Sequence, residues 1–159
     1  MQTIKKTQKE MRMAKFTGKF TRILLPIDFS DASEAAANYA LSLAKKDKAL
    51  LQVVHVLNIN NDIASFFAST GVEDLTAEAE NSLKKFQARY LKGYANIKTD
   101  ILTGIPHKEV VAFAKKNKSD LVVIGSHGKG SVDRLLVGSN TERVLRKAGC
   151  PVLVVPPAK

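Results

Sequence analysis

Five apolar runs, each four to eight residues long, are separated by stretches in which apolar residues recur every three or four positions. The runs predict strands and the recurring stretches predict amphipathic helices. Ile23–Ile27 and Leu50–Leu57 are rich in branched apolar residues, as strands buried on both faces are. Asp120-Leu121-Val122-Val123-Ile124 reads the same way. Ile97–Leu102 alternates, which places that strand nearer an edge of the sheet. Val152–Val155, apolar at every position, closes the series.

The helices have readable ends. Asp31 with Glu34 three residues on predicts a capping box. Behind it Ala36, Ala40 and Leu43 repeat at helical spacing, with Tyr39 on the same side. Leu75, Ala79, Leu83, Phe86 and Tyr90 form a second stripe, ended by Gly93. Pro106 suits the first position of a third helix, where its missing donor costs nothing. That helix turns Val110, Val111 and Ala114 inward and carries Lys115, Lys116 and Lys118 near its end. The fourth runs from Ser139 to about Ala148, with Gly149 at its C-cap. Strands alternating with helices imply one α/β domain, an open parallel five-stranded sheet with helices on both faces.

Two stretches fall outside this rhythm. Residues 1–19 form a basic N-terminal appendage before a domain spanning 20–159, and Asn58 to Gly71 is a polar loop whose Phe66-Phe67 reads as an anchor on the core. The chain's length of 159 residues fits a single domain. No apolar run approaches a membrane span, so no membrane partner is expected. Cys150 is the only cysteine, which excludes an internal disulfide and fits a cytoplasmic setting. Between a helix end and a buried strand, it reads as a packed, inert thiol.

The formal charge of +10 invites a nucleic-acid reading, but its distribution weakens it. Residues 1–22 carry seven basic groups against Glu10, a net +6. The charge is therefore concentrated in the appendage, and no specific nucleic-acid site is expected in the domain.

Chemistry concentrates after the fourth strand. Four of the nine glycines, Gly125, Gly128, Gly130 and Gly138, lie in one loop region, and Gly138 is followed by a helix start at Ser139. A strand end, a glycine loop and a helix N-terminus make an anion site from bare N–H groups and a favourable dipole. Turn glycines alone would explain one or two of these positions, not the whole pattern with a hydroxyl residue behind it. Phosphate cradling explains it, with Gly125 letting backbone approach a ribose and Gly128 and Gly138 leaving room for phosphate oxygens. Ser139 can be a helix cap and a phosphate ligand at once. Asn140 can add a backbone donor.

The spacing Gly125-x2-Gly128-x9-Gly138-Ser139 resembles the nucleotide-binding pattern of the universal stress protein family. Arg22 to Ser30, Leu51 to Leu57 with His55-Val56, Gly104-Ile105-Pro106 and Cys150 to Val155 match that family in order, so the resemblance covers nearly the whole chain from Phe20. It implies strand order 3-2-1-4-5 and a crevice between the carboxyl ends of strands one and four, where open α/β sheets bind ligands. It implies ATP as the cofactor, with Mg²⁺ or Mn²⁺ carried by the phosphates rather than by a protein cage. Asp28 would contact the nucleoside, since Ser30 and Asp31 cap the helix and free it. Pro26, Ile27 and Val56 would line the base pocket, Val56 through its backbone. Gly125, Ser126, His127, Gly128, Lys129, Gly138, Ser139, Asn140 and Thr141 would complete the site. A histidine in a turn is the commoner reading of His127 and a phosphate contact the functional one, while Lys129 and Arg134 read equally as phosphate partners or solvated charges. His55 and His107 stand alone, without the partner spacing of a metal site.

Other nucleotide chemistries lack their signatures. Gly-x4-Gly-Lys-Ser/Thr, Gly-x-Gly-x-x-Gly and Gly-x-Ser-x-Gly are all absent. The leading expectation is a dimeric, nucleotide-responsive ATP-binding protein of the stress response. A slow ATPase or self-phosphorylating phosphotransferase, with Ser131, Ser139 or Thr141 as acceptor, is the alternative from the enzyme class. A dimeric interaction protein whose glycine loop is merely structural is the third. In each, Val152–Val155 lies at a sheet edge, and the resemblance implies that it pairs with a second copy to form a homodimer.

Overall fold

The computed structural model describes residues 18–58, 72–128 and 137–158. The expectations for Phe66-Phe67, Lys129, Gly130, Ser131, Arg134 and residues 1–17 lie outside these residues. The elements are β1 (Arg22–Ile27), α1 (Asp31–Asp47), β2 (Leu50–Asn58), α2 (Val72–Tyr90), β3 (Ile97–Gly104), α3 (Pro106–Lys116), β4 (Leu121–Gly125), α4 (Ser139–Lys147) and β5 (Val152–Val155). The sheet is parallel throughout, in the order β3-β2-β1-β4-β5.

Strand alternation sorts the core into two layers. Ile23, Leu25 and Ile27 of β1 pack with Leu51, Val53, Leu121 and Val123 against the alanine face of α1 and against Leu83 and Phe86 of α2. Leu24, Val54, Val122 and Ile124 face the other way, onto Val110 and Ala114 of α3 and Val144 of α4. The inner strands are buried on both sides, which is why they read as continuous apolar runs. At the end of the sheet opposite the crevice, the Asp120 carboxylate accepts from Thr21 N (2.7 Å), Thr21 Oγ1 (2.7 Å) and Arg22 N (3.1 Å). That clamp fixes where β1 starts beside β4, and so where both strands end.

Three details of the helices differ from the sequence expectation. The inward face of α1 is built from Ala36, Ala37, Ala40 and Ala44, while Tyr39 is 56% exposed. A helix packed this close to a sheet needs its smallest side chains inside, and a tyrosine at i+3 from Ala36 falls past the edge of that narrow face. The cap of α1 is Ser30, whose Oγ accepts from Ser33 N, rather than Asp31. In α4 the N-cap is Gly138, so Ser139 is the first helical residue. Gly149, just past Ala148, adopts φ +77°, the left-handed turn that releases the chain into β5. Cys150 is half-buried, and burial pushes its thiol pKa up, which keeps it protonated and unreactive.

Candidate functional site

β1 and β4 are neighbours whose onward connections go to opposite faces of the sheet, α1 to one and α4 to the other. Beyond their carboxyl ends the chain must part, and a cleft of about 790 Å³ opens there. That volume lies within the usual range for small-molecule sites. Its wall includes Pro26, Ile27 and Asp28 from the end of β1, Val56 from β2, and Gly125, His127 and Gly128 from the end of β4 and beyond. Gly138, Ser139, Asn140 and Thr141 from the start of α4 complete it. The fold therefore brings together eleven of the residues expected from the sequence. Ser126 stands behind the wall: its N–H donates to Val155 O (2.7 Å), its carbonyl accepts from Gly138 N (2.8 Å), and its Oγ pairs with His127 Nδ1 (2.9 Å).

The turn from β1 into α1 is unusual. Phe29 has φ +62°, the left-handed region that a bulky residue enters at a cost of about 1–3 kcal/mol. Its ring packs at a tilt against His55 (centroids 4.6 Å apart) and meets Phe86 edge-on (6.0 Å), which holds the strained backbone in place. His55 is fixed in turn by a 2.9 Å bond to Ile27 O; a carbonyl can only accept, so Nδ1 carries the hydrogen. This turn folds the Asp28 carboxylate back over the start of α1.

Asp28 is not freed by the cap as expected; it is part of it. Oδ1 accepts from Ser30 N (3.1 Å), Ser30 Oγ (2.6 Å) and Ser33 Oγ (2.6 Å). Oδ2 points at Gly128, and a Cβ on Gly128 would collide with it. One carboxylate thus organises the helix start with one oxygen and meets the glycine loop with the other. Asp28→Ala should lower stability by about 1–2 kcal/mol through the lost cap. Asp28→Asn keeps an acceptor oxygen and should recover most of it; a thermal or urea melt in which both variants match wild type contradicts this arrangement.

The glycines have separate reasons. A Cβ on Gly125 would lie 2.8 Å from the carbonyl carbon and the Cβ of Ala32. The close approach that keeps a side chain out there is helix to strand. Gly138 has φ −62°, open to any residue, but a Cβ would sit 3.2 Å from His127 Cα. Thr141 is also committed: its Oγ1 donates to Gly125 O (2.9 Å) and is buried, so its hydroxyl ties α4 to the end of β4.

Two helix N-termini face this cleft. Glu142 N makes the first bond of α4, to Gly138 O (2.9 Å), which leaves the N–H groups of Ser139 and Asn140 ahead of the ladder. Pro106 and His107, the first turn of α3, line the same wall. Both positive dipole ends therefore act on one volume, which favours an anion. Among the described residues no three His, Cys, Asp or Glu side chains gather as a metal site, and no helix is long and apolar enough to cross a membrane. His55, Phe29 and His107 were not expected in the wall; the signal lay in His55-Val56 and Ile105-Pro106-His107, at the carboxyl end of a strand and the opening of a helix.

An open parallel sheet with an anion-suited cleft at its switch point is an α/β architecture of the kind that binds ligands beyond the carboxyl ends of its strands. The chain belongs to the universal stress protein family, whose profile matches residues 19–156. It is 37% identical over 139 residues to universal stress protein MJ0531 of Methanocaldococcus jannaschii, covering 86% of this chain and 82% of that protein. The solved structure of MJ0577 from the same organism superposes with a TM-score of 0.75 at 31% identity, over 87% of this chain and 97% of that one. A universal stress protein from Archaeoglobus fulgidus, solved in complex with dAMP, superposes with a TM-score of 0.64 at 25% identity, over 85% of this chain and 97% of that one.

Proposed function

We propose that this protein binds ATP in the cleft between β1 and β4 and acts in the cytoplasm as a nucleotide-responsive module of the stress response. The observation that carries the reading is the convergence of Asp28, Gly128, Gly138, the first turn of α4 and Val56 on one cleft. The chemistry of that cleft fits a nucleotide from end to end. Pro26, Ile27 and Val56 offer an apolar slot with backbone groups for a base. A carboxylate such as Asp28 suits a ribose hydroxyl, and the two helix N-termini suit phosphates. The dAMP complex of the Archaeoglobus fulgidus relative supports an adenine nucleotide as the ligand class. Mg²⁺ or Mn²⁺ would arrive on the phosphates. Calorimetry with ATP on nucleotide-stripped protein tests the reading: saturable one-site binding is expected, tighter than for adenosine, and no heat from ATP would end it.

We assign the same module a homodimeric state through β5. The strand is an edge, with Val152, Leu153 and Val154 only half-buried within one chain. An apolar edge of this kind leaves a row of backbone donors and acceptors for a second copy. Pro151 before it and Pro156-Pro157 after it limit the pairing to these four residues. Val154→Lys places an ammonium in the joint and should weaken the dimer by roughly tenfold or more. Sedimentation equilibrium decides: a monomeric wild type at micromolar concentration removes the proposal, and an unweakened variant moves the interface elsewhere.

A further inference from the structure

The first turns of α3 and α4 are joined by one side-chain bond inside the cleft wall. His107, 7% exposed in the first turn of α3, has Nδ1 3.1 Å from Oδ1 of Asn140, the second residue of α4. Both residues line the cleft, and Asn140 is exposed in it. An amide oxygen only accepts, so His107 Nδ1 carries the hydrogen. An Asn side chain has one acceptor atom and one donor atom. With its oxygen held by His107, Asn140 has its Nδ2 hydrogens left for the cleft.

We infer that Asn140 contacts the ligand through its side-chain amide, donating to a phosphate oxygen, and that His107 is the positioning residue that orients it. The inference rests on the nucleotide reading and adds a side-chain donor to it. Geometry gives His107 few other duties. It is buried in the first turn of α3, with Val110 and Ala114 continuing its stripe along the helix. A buried imidazole is a stiffer support than a solvated chain, so the amide plane is set before the ligand arrives, which lowers the ordering cost of binding. The donor sits beside the bare N–H groups of Ser139 and Asn140 itself, where a phosphate oxygen would already be held.

The test is calorimetry with ATP and with adenosine on full-length variants. Asn140→Ala should weaken ATP roughly tenfold, the worth of one hydrogen bond to a charged oxygen, and leave adenosine within about twofold. Asn140→Asp keeps the acceptor for His107 but faces phosphate with a charge, and should lose more than the alanine variant. His107→Ala should weaken ATP in the wild-type background and have no further effect once Asn140 is alanine. His107→Asn, whose amide can donate from the place of Nδ1, should restore most of the loss. Asn140 is exposed, so its variants fold whatever happens at His107. Wild-type ATP affinity in Asn140→Ala or Asn140→Asp, equal losses for adenosine, or additive losses in the double variant each overturn the inference. A wild type that binds neither ATP nor adenosine removes the nucleotide reading itself, and this inference with it.

Discussion

Gly138→Val lowers ATP affinity by roughly 100-fold, equivalent to about 2.7 kcal/mol, while the protein stays folded. The backbone angle and the space at this residue set the effect. Its φ of −62° is ordinary, so a side chain brings no backbone strain. A Cβ would stand 3.2 Å from His127 Cα and 3.6 Å from His127 Cβ, so valine must push its two methyl groups past the backbone at His127. On the proposed reading, the space they enter is where a phosphate would lie. Valine is also a poor N-cap, which costs about 1 kcal/mol of stability. That cost is too small to unfold a domain of ordinary stability. Calorimetry and a thermal melt on one preparation separate the effects. Wild-type affinity in this variant removes the phosphate cradle, and loss of the folded state puts the role of Gly138 in folding instead.

Gly125→Val has the opposite signature. Its Cβ would meet the carbonyl carbon and Cβ of Ala32 at 2.8 Å, and these are backbone and near-backbone atoms that cannot swing aside. α1 would have to lift from the end of β4, opening the layer formed by Ala36, Ala40 and Val123. Overpacking of this kind costs about 1–3 kcal/mol, and a branched residue against backbone belongs at the upper end. The prediction is a midpoint of unfolding lowered by several degrees, with ATP affinity reduced only as far as Asp28 and Gly128 shift. Gly125→Ala should show the same sign at smaller size. A Gly125→Val protein as stable as wild type would show that the contact with Ala32 relaxes freely.

The inner strands were legible because they are buried on both faces, and burial writes itself into the chain as Leu51-Gln52-Val53-Val54 or Leu121-Val122-Val123-Ile124. Strand order 3-2-1-4-5 was legible only through family resemblance, since periodicity says nothing about which strands are neighbours. The cleft followed from order and motif together. What stayed hidden was the division of labour inside it. Gly125 and Gly138 look alike in sequence, yet one answers to Ala32 and the other to His127, contacts that exist only after folding. Asp28 looked free because Ser30 and Asp31 could cap the helix; the turn at Phe29, with its positive φ, folds the carboxylate into that cap. Tyr39 fell outside the inner face of α1 because alanines alone pack that close to a sheet. His107 and Asn140 belong to different helices, and no local pattern marks two residues that meet only once those helices are side by side.

The central claim is that this cleft, and no other surface, holds the nucleotide. Backbone amide NMR during an ATP titration tests it most directly. Shifts should concentrate at Ile27, Asp28, Val56, Gly128, Ser139 and Asn140, with β3 and the clamp at Asp120 undisturbed. A spectrum that does not change, or shifts that gather away from the carboxyl ends of β1 and β4, would contradict it.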